Sequence, residues 1–136
     1  MPYVANLYFK TAITFLVVGI SVGLQMSISG NHNVIGAHAH INLLGWVTSA
    51  LFGAFYALNP AKAQKRLAII QYGVYTTGVV ILSPALYFLL LGNSRAEPAV
   101  AIASLIVFAG VILFAVMVFA KDEVRTSDIP VATSAV

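Results

Sequence analysis

Ala99-Val-Ala-Ile-Ala-Ser-Leu-Ile-Val-Phe-Ala-Gly-Val-Ile-Leu-Phe-Ala-Val-Met-Val-Phe-Ala120 runs without one charged side chain. As a helix rising about 1.5 Å per residue, it crosses the roughly 30 Å of hydrocarbon in a bilayer. Three similar runs precede it, Thr11 to Ile28, Val34 to Leu58 and Leu67 to Leu91, and none contains Asp, Glu, Lys or Arg. A soluble domain carries roughly a quarter charged residues. Here 8% of 136 residues are charged and 60% are hydrophobic, with a mean hydropathy of +0.95. The pattern predicts an all-α, four-transmembrane-helix domain over residues 1–125 and a disordered cytoplasmic tail over 126–136.

The segments between the runs are turn-formers: Ser29-Gly-Asn-His-Asn33, Asn59-Pro60, and Gly92-Asn-Ser-Arg-Ala-Glu-Pro98. Met1 to Lys10 reads as a mildly polar lead-in with Tyr3, Tyr8 and Phe9 as interfacial aromatics. The first run is too long for a signal-peptide core and lacks a small-residue cleavage site, so it is read as a span. Gly19 and Gly23 form a small-x-x-x-small pair of the kind that lets helices approach in lipid. Pro84 should kink the third span, and Ser104 and Gly110 offer small packing positions on the fourth.

No cysteine is present, which excludes disulfides, thiolate metal sites and covalent haem attachment. The pI near 9.4 does not point to nucleic acid. The basic residues sit in short loops and at the ends: Lys10, Lys62, Lys65, Arg66, Lys121 and Arg125 fall on one side, Arg95 alone on the other. Positive charge is retained in the cytoplasm, so both termini are expected there. His32, His38, His40 and Arg95 then gather at the outer face.

The chemistry of the chain is concentrated in Gly36-Ala-His-Ala-His-Ile-Asn-Leu-Leu-Gly-Trp46. Each helical residue turns the chain by about 100°, so His38 and His40 diverge by about 200°. They cannot clamp one ion between them, but each can serve a different neighbour. In line with His38 fall Asn42, Gly45, Ser49, Gly53 and Tyr56; in line with His40 fall Leu44, Val47, Leu51, Ala54 and Leu58. Imidazoles in a span are costly and face the protein interior or a cofactor. Haem fits this pattern: neutral imidazole is an axial ligand of its iron, and aliphatic helix faces suit a flat macrocycle. Arg95, with Asn31, Asn33 and His32 on the same side, could serve the propionates. Copper or zinc on His32, His38 and His40 fits less well, because His38 and His40 point apart unless the helix begins after them. In the plainer alternative, both rings reach water or headgroups and the small residues serve helix packing.

The same stretch resembles the haem-ligating helices of haem–copper oxidase catalytic subunits, and most closely the small cytochrome oxidase subunit I-like proteins. Those large subunits are built of three arcs of four helices, and the chain resembles one arc. The resemblance implies that His38 and His40 serve different haems, as a His-x-His pair does in that family, and that Arg95 matches its propionate-binding loop arginines. The chain departs from the family in having no further histidine cluster for copper, no tyrosine assignable to catalysis and no acidic residue in any span. What remains is a haem-binding relative, in a bacterial-type inner membrane, without the oxygen-reducing centre.

Opposed ligands also imply assembly: in a homotrimer, His38 of one protomer can face His40 of the next, giving bis-histidine haem b at each interface. The expected cofactor-binding residues are His38, His40, Arg95, Asn42, Gly45 and His32, with His38 and His40 on the iron. The expected role is electron transfer with a redox partner and membrane lipid around it. The alternatives are a haem protein handling nitric oxide or oxygen, a copper carrier or assembly factor, and a structural subunit.

Overall fold

The computed structural model describes residues 1–121, so Arg125 and the expected tail over 126–136 lie outside the described residues. Among the described residues the fold is all-helical, with four helices long and apolar enough to span a membrane: α1 (Tyr3–Ser29), α2 (Ile35–Leu58), α3 (Arg66–Leu90) and α4 (Glu97–Phe119). Gly30 closes α1 in the left-handed region at φ 67°, and Gly92, at φ 96°, turns the chain after α3. These conformations cost a residue with a side chain energy and cost glycine little. Pro60 opens a one-turn helix, Pro60–Ala63, at the position where its missing N–H is not needed. The helix α3 continues on both sides of Pro84, and the neighbouring Ser83 hydroxyl donates to the Val79 carbonyl at 2.8 Å.

Two helix pairs carry the packing, α1 on α2 and α3 on α4. Their close approach rests on glycine. A methyl group at Gly110 would fall 2.7 Å from Tyr75 Cα, and one at Gly78 would fall 2.8 Å from the Val107 backbone nitrogen. No side chain fits in either place. Outward, by contrast, the helices present Ile13, Val17, Leu51, Val80, Ile102 and Leu105, all exposed. Close backbone approach at small residues beneath an aliphatic surface suits lipid.

The core is richest at the end that carries the lysine loop. Tyr8, Tyr56, Tyr75 and Gln71 are wholly buried there. The Tyr8 hydroxyl donates to Gln71 Oε1 at 2.6 Å, and Tyr56 donates to the same oxygen at 3.3 Å. Gln71 Nε2 in turn donates to the Gly110 carbonyl at 3.2 Å. One amide thereby joins all four helices. Phe114 of α4 stacks on Phe52 of α2 with ring centroids 3.9 Å apart, which closes the cluster.

Three details differ from the sequence expectation. Helix α1 starts at Tyr3, eight residues before the apolar run, because its first turns pack on α2: Val4, Ala5 and Tyr8 are buried. Tyr8 is therefore a core residue and not an interfacial one, whereas Tyr3 remains exposed. Ser104 turns back onto its own helix, bonding the Val100 carbonyl at 2.7 Å, and only Gly110 of the two small residues is a packing position.

Candidate functional site

Helix α2 begins at Ile35, so His38 and His40 both lie on the helix and diverge. His38 turns toward α1. Its ring lies against Gly23, where a methyl group would meet Cε1 at 3.0 Å, and its Nδ1 is 2.9 Å from the Gly19 carbonyl. A carbonyl oxygen can only accept, so Nδ1 carries the proton and Nε2 keeps its lone pair. His40 is exposed on the other side of the helix, with Nδ1 2.8 Å from the Gly36 carbonyl one turn back. The same logic places its proton on Nδ1. Both neutral imidazoles are thus held by main-chain oxygens in the tautomer that puts the lone pair on Nε2, the support that metal-ligating histidines need.

Asn42 stands beside His38. Its side-chain amide donates to the His38 carbonyl at 2.9 Å, with the same nitrogen 3.5 Å from His38 Nε2. A methyl group at Gly19 would collide with this amide at 2.5 Å. Gly45, the next member of the face, is buried under the ring of Phe15. The face drawn from His38 through Asn42, Gly45, Ser49, Gly53 and Tyr56 is therefore the seam between α2 and α1. His38 is buried in part within that seam and does not project from the outside of the chain.

Immediately after His40 the helix widens. Ile41–Thr48 is π-helical, a geometry with i to i+5 bonding that is rare beyond one turn and recurs at functional sites. The two hydroxyls at its end bond back by the same five-residue step, Thr48 to the Leu43 carbonyl at 2.7 Å and Ser49 to the Leu44 carbonyl at 3.3 Å. The Tyr75 hydroxyl of α3 also donates to the Leu44 carbonyl, at 2.9 Å. These three hydroxyls supply donors where the wider helix leaves carbonyls less well served. Sequence reading did not single out Tyr75, Thr48 or Ser49 for this role. The Gly19–Gly23 pair was legible as a packing motif, and its partner proves to be the histidine face.

The remaining expected residues stay apart. His32 sits in the loop after α1, with Nδ1 3.2 Å from the Gly30 carbonyl. Arg95 lies in the turn before α4, exposed, and its backbone N–H donates to Asn93 Oδ1 at 3.2 Å. The start of α2 does meet the end of α3, through Gly36 and Leu90, so His38, His40 and Arg95 share one end of the bundle. Among the described residues, no three His, Asp or Glu side chains converge as an ion site within one chain. Beside the seam, a cavity of about 430 Å³ opens between α1 and α3, floored by Ile41 and walled by Phe15, Val22, Val80 and Phe88. Its size and its apolar walls lie in the range of small-molecule sites.

As a haem site the donors fit unequally. His40 is exposed, tautomerically fixed and unobstructed at Nε2. His38 has the right tautomer, but ligation there requires the iron to approach between α1 and α2 or the ring to leave Gly23. No family model, curated protein or solved structure matches the chain.

Proposed function

We propose that the chain is a membrane cytochrome that holds haem b between protomers and passes single electrons. The observation that carries this reading is His40, an exposed imidazole in an apolar span whose Nδ1 is tied to Gly36 and whose Nε2 is left to a partner outside the chain. An imidazole in this setting, without an acceptor or a donor on its second nitrogen, costs free energy unless something ligates it. His38 of a neighbouring protomer in a trimer completes the pair, and Arg95, at the same end, serves the propionates. Bound haem supplies a one-electron iron couple. The chain's own residues fix the ligands through Gly19 and Gly36 and exclude water with aliphatic faces. The Lys and Arg count supports the reading that this end faces outward and both termini lie in the cytoplasm, in a bacterial-type inner membrane as the resemblance implies.

The test is the absorption spectrum of the purified protein with its mass in detergent. A low-spin bis-imidazole haem, three per trimer, is expected, and either His38→Ala or His40→Ala should abolish it. Haem content unchanged in both variants, or a haem-loaded monomer, overturns the proposal. The sheltering of His38 behind α1 favours a second reading: His40 alone ligates and the sixth position is open, as a haem that binds nitric oxide or oxygen requires. Rapid carbon monoxide binding by the reduced protein selects that reading over the first.

A further inference from the structure

At the opposite end of the bundle a second site has no part in the haem reading. A cavity of about 610 Å³ lies between the start of α1 and the turn that leads into α3. Lys65 and Arg66 line its mouth, and Tyr3, Val4 and Ile69 form its apolar wall. Both basic side chains are exposed and, among the described residues, make no ion pair or hydrogen bond. The one acidic side chain among the described residues is Glu97, which starts α4 at the histidine end. Two cations that no acidic side chain among the described residues offsets therefore stand over an apolar wall. Helix α3 also begins at this cavity, with Arg66 as its first residue and no side-chain acceptor supplied by its N-cap residue Lys65. The contrast at the histidine end is direct: the cavity there between Gln25, Asn31 and Tyr87 is about 150 Å³ and has no charged lining residue.

From this we infer that the cavity binds the headgroup of an anionic phospholipid. Arg66 can pair two phosphate oxygens in its planar fork and Lys65 acts as a point charge beside it. The glycerol and upper acyl carbons lie along Val4 and Ile69, and Ile69 leads from the charged mouth onto the lipid-facing surface of α3. A zwitterionic headgroup brings its own ammonium against both cations and is disfavoured. The site is a lipid site and not a soluble-anion site because its wall is apolar and continuous with the bilayer. Basic residues at a membrane surface contribute roughly a five- to sixfold gain in affinity each for anionic lipid, so the pair contributes about 30-fold.

The experiment is a lipid titration of the full chain in detergent, read by native mass spectrometry. Phosphatidylglycerol is compared with phosphatidylcholine of the same acyl composition. One phosphatidylglycerol per chain is expected, in preference to phosphatidylcholine, and the Lys65→Gln/Arg66→Gln double variant should weaken its binding about 30-fold. The Lys10→Gln/Lys121→Gln double variant, with the same loss of net charge elsewhere, should retain it, and circular dichroism of both variants should match the parent. Equal retention of the two lipids by the parent chain overturns the proposal, as does an equal fall in the control variant. Displacement of phosphatidylglycerol by an equimolar amount of inorganic phosphate would also overturn it, making the cavity a soluble-anion site.

Discussion

The two ends of the α2 helix handle buried polarity in opposite ways. At the lysine-loop end, Tyr8, Tyr56 and Gln71 are wholly enclosed and bond one another across helices, with partners up to 63 residues apart in sequence. At the histidine end, His38 and His40 each use Nδ1 on a main-chain carbonyl; Nε2 of His38 has only the Asn42 amide nitrogen, 3.5 Å away, and Nε2 of His40 has no hydrogen bond among the described residues. The first end is complete as it stands. The second is fixed in orientation yet unfinished in bonding, which is what a ligand-binding element requires and a structural core avoids.

The largest loss is expected where the backbones touch. Gly110→Ile places a branched side chain where even a methyl group meets Tyr75 Cα at 2.7 Å, so α3 and α4 must separate. The loss should be about 3 kcal/mol or more, at the upper end of overpacking costs. Detergent-resistant folding monitored by tryptophan fluorescence or by proteolysis should show it. A variant as stable as the parent would mean that α3 and α4 do not meet at this glycine.

Gln71→Leu comes next. It strips Tyr8, Tyr56 and the Gly110 carbonyl of their shared partner in a buried setting. Each unsatisfied group costs roughly 1–3 kcal/mol, although membrane hydrogen bonds average less than this. A net loss of about 2 kcal/mol is expected in a chemical unfolding titration, with Gln71→Glu worse still because it adds a charge. Tyr75→Phe is milder: it removes the shorter of two side-chain donors to the Leu44 carbonyl, leaving Ser49, and should cost about 1 kcal/mol. Its effect reaches across the boundary between the two ends, because Leu44 belongs to the π-helical stretch after the histidines. Amide exchange should quicken over Ile41–Thr48 and not in α4; a uniform change would deny that Tyr75 supports that stretch.

How far the sequence reaches also differs between the two ends. Four uncharged runs and the breakers Gly30, Asn59-Pro60 and Gly92 are enough to place four helices, because hydrocarbon thickness imposes a length that composition alone can meet. The opposed directions of His38 and His40 follow from helical pitch. The first two turns of α1 were not legible, since an apolar-run criterion marks the lipid and not the helix, and Tyr8 looks interfacial until α2 is beside it. Lys62 looks like one more loop charge, yet it is buried and donates to the Val118 carbonyl at the end of α4, at 3.1 Å. That bond depends on where the fourth helix stops relative to the second loop, a tertiary fact. The π-helical stretch is of the same kind: Thr48 and Ser49 signal it only weakly, and Tyr75 signals it only once α3 is packed. Sequence gave the two histidine directions but not the identity of the inward partner, because Gly19 and Gly23 present no side chain to pair by chemistry.

The smallest expected effect separates the two histidines, because it acts on His38 and spares His40. Gly23→Ala adds a methyl group 3.0 Å from His38 Cε1, the far end of a side chain that can turn. Stability should change by less than about 1 kcal/mol, in the ordinary range for a substitution that a flexible neighbour absorbs. The imidazole, however, must shift away from α1 and loosen its bond to the Gly19 carbonyl. Nitrogen-15 NMR of the rings in alkaline buffer reads this directly. In the parent chain both His38 and His40 should carry their proton on Nδ1, since each faces an oxygen that can only accept. In the variant His38 should become a mixture of tautomers while His40, anchored to Gly36 on its own helix, stays as it was. A parent chain with the proton on Nε2 of either histidine would remove the pre-set ligand geometry on which the haem reading rests. If the variant leaves His38 unmoved, the ring does not lie in the seam, and the contrast between a sheltered His38 and an open His40 falls with it.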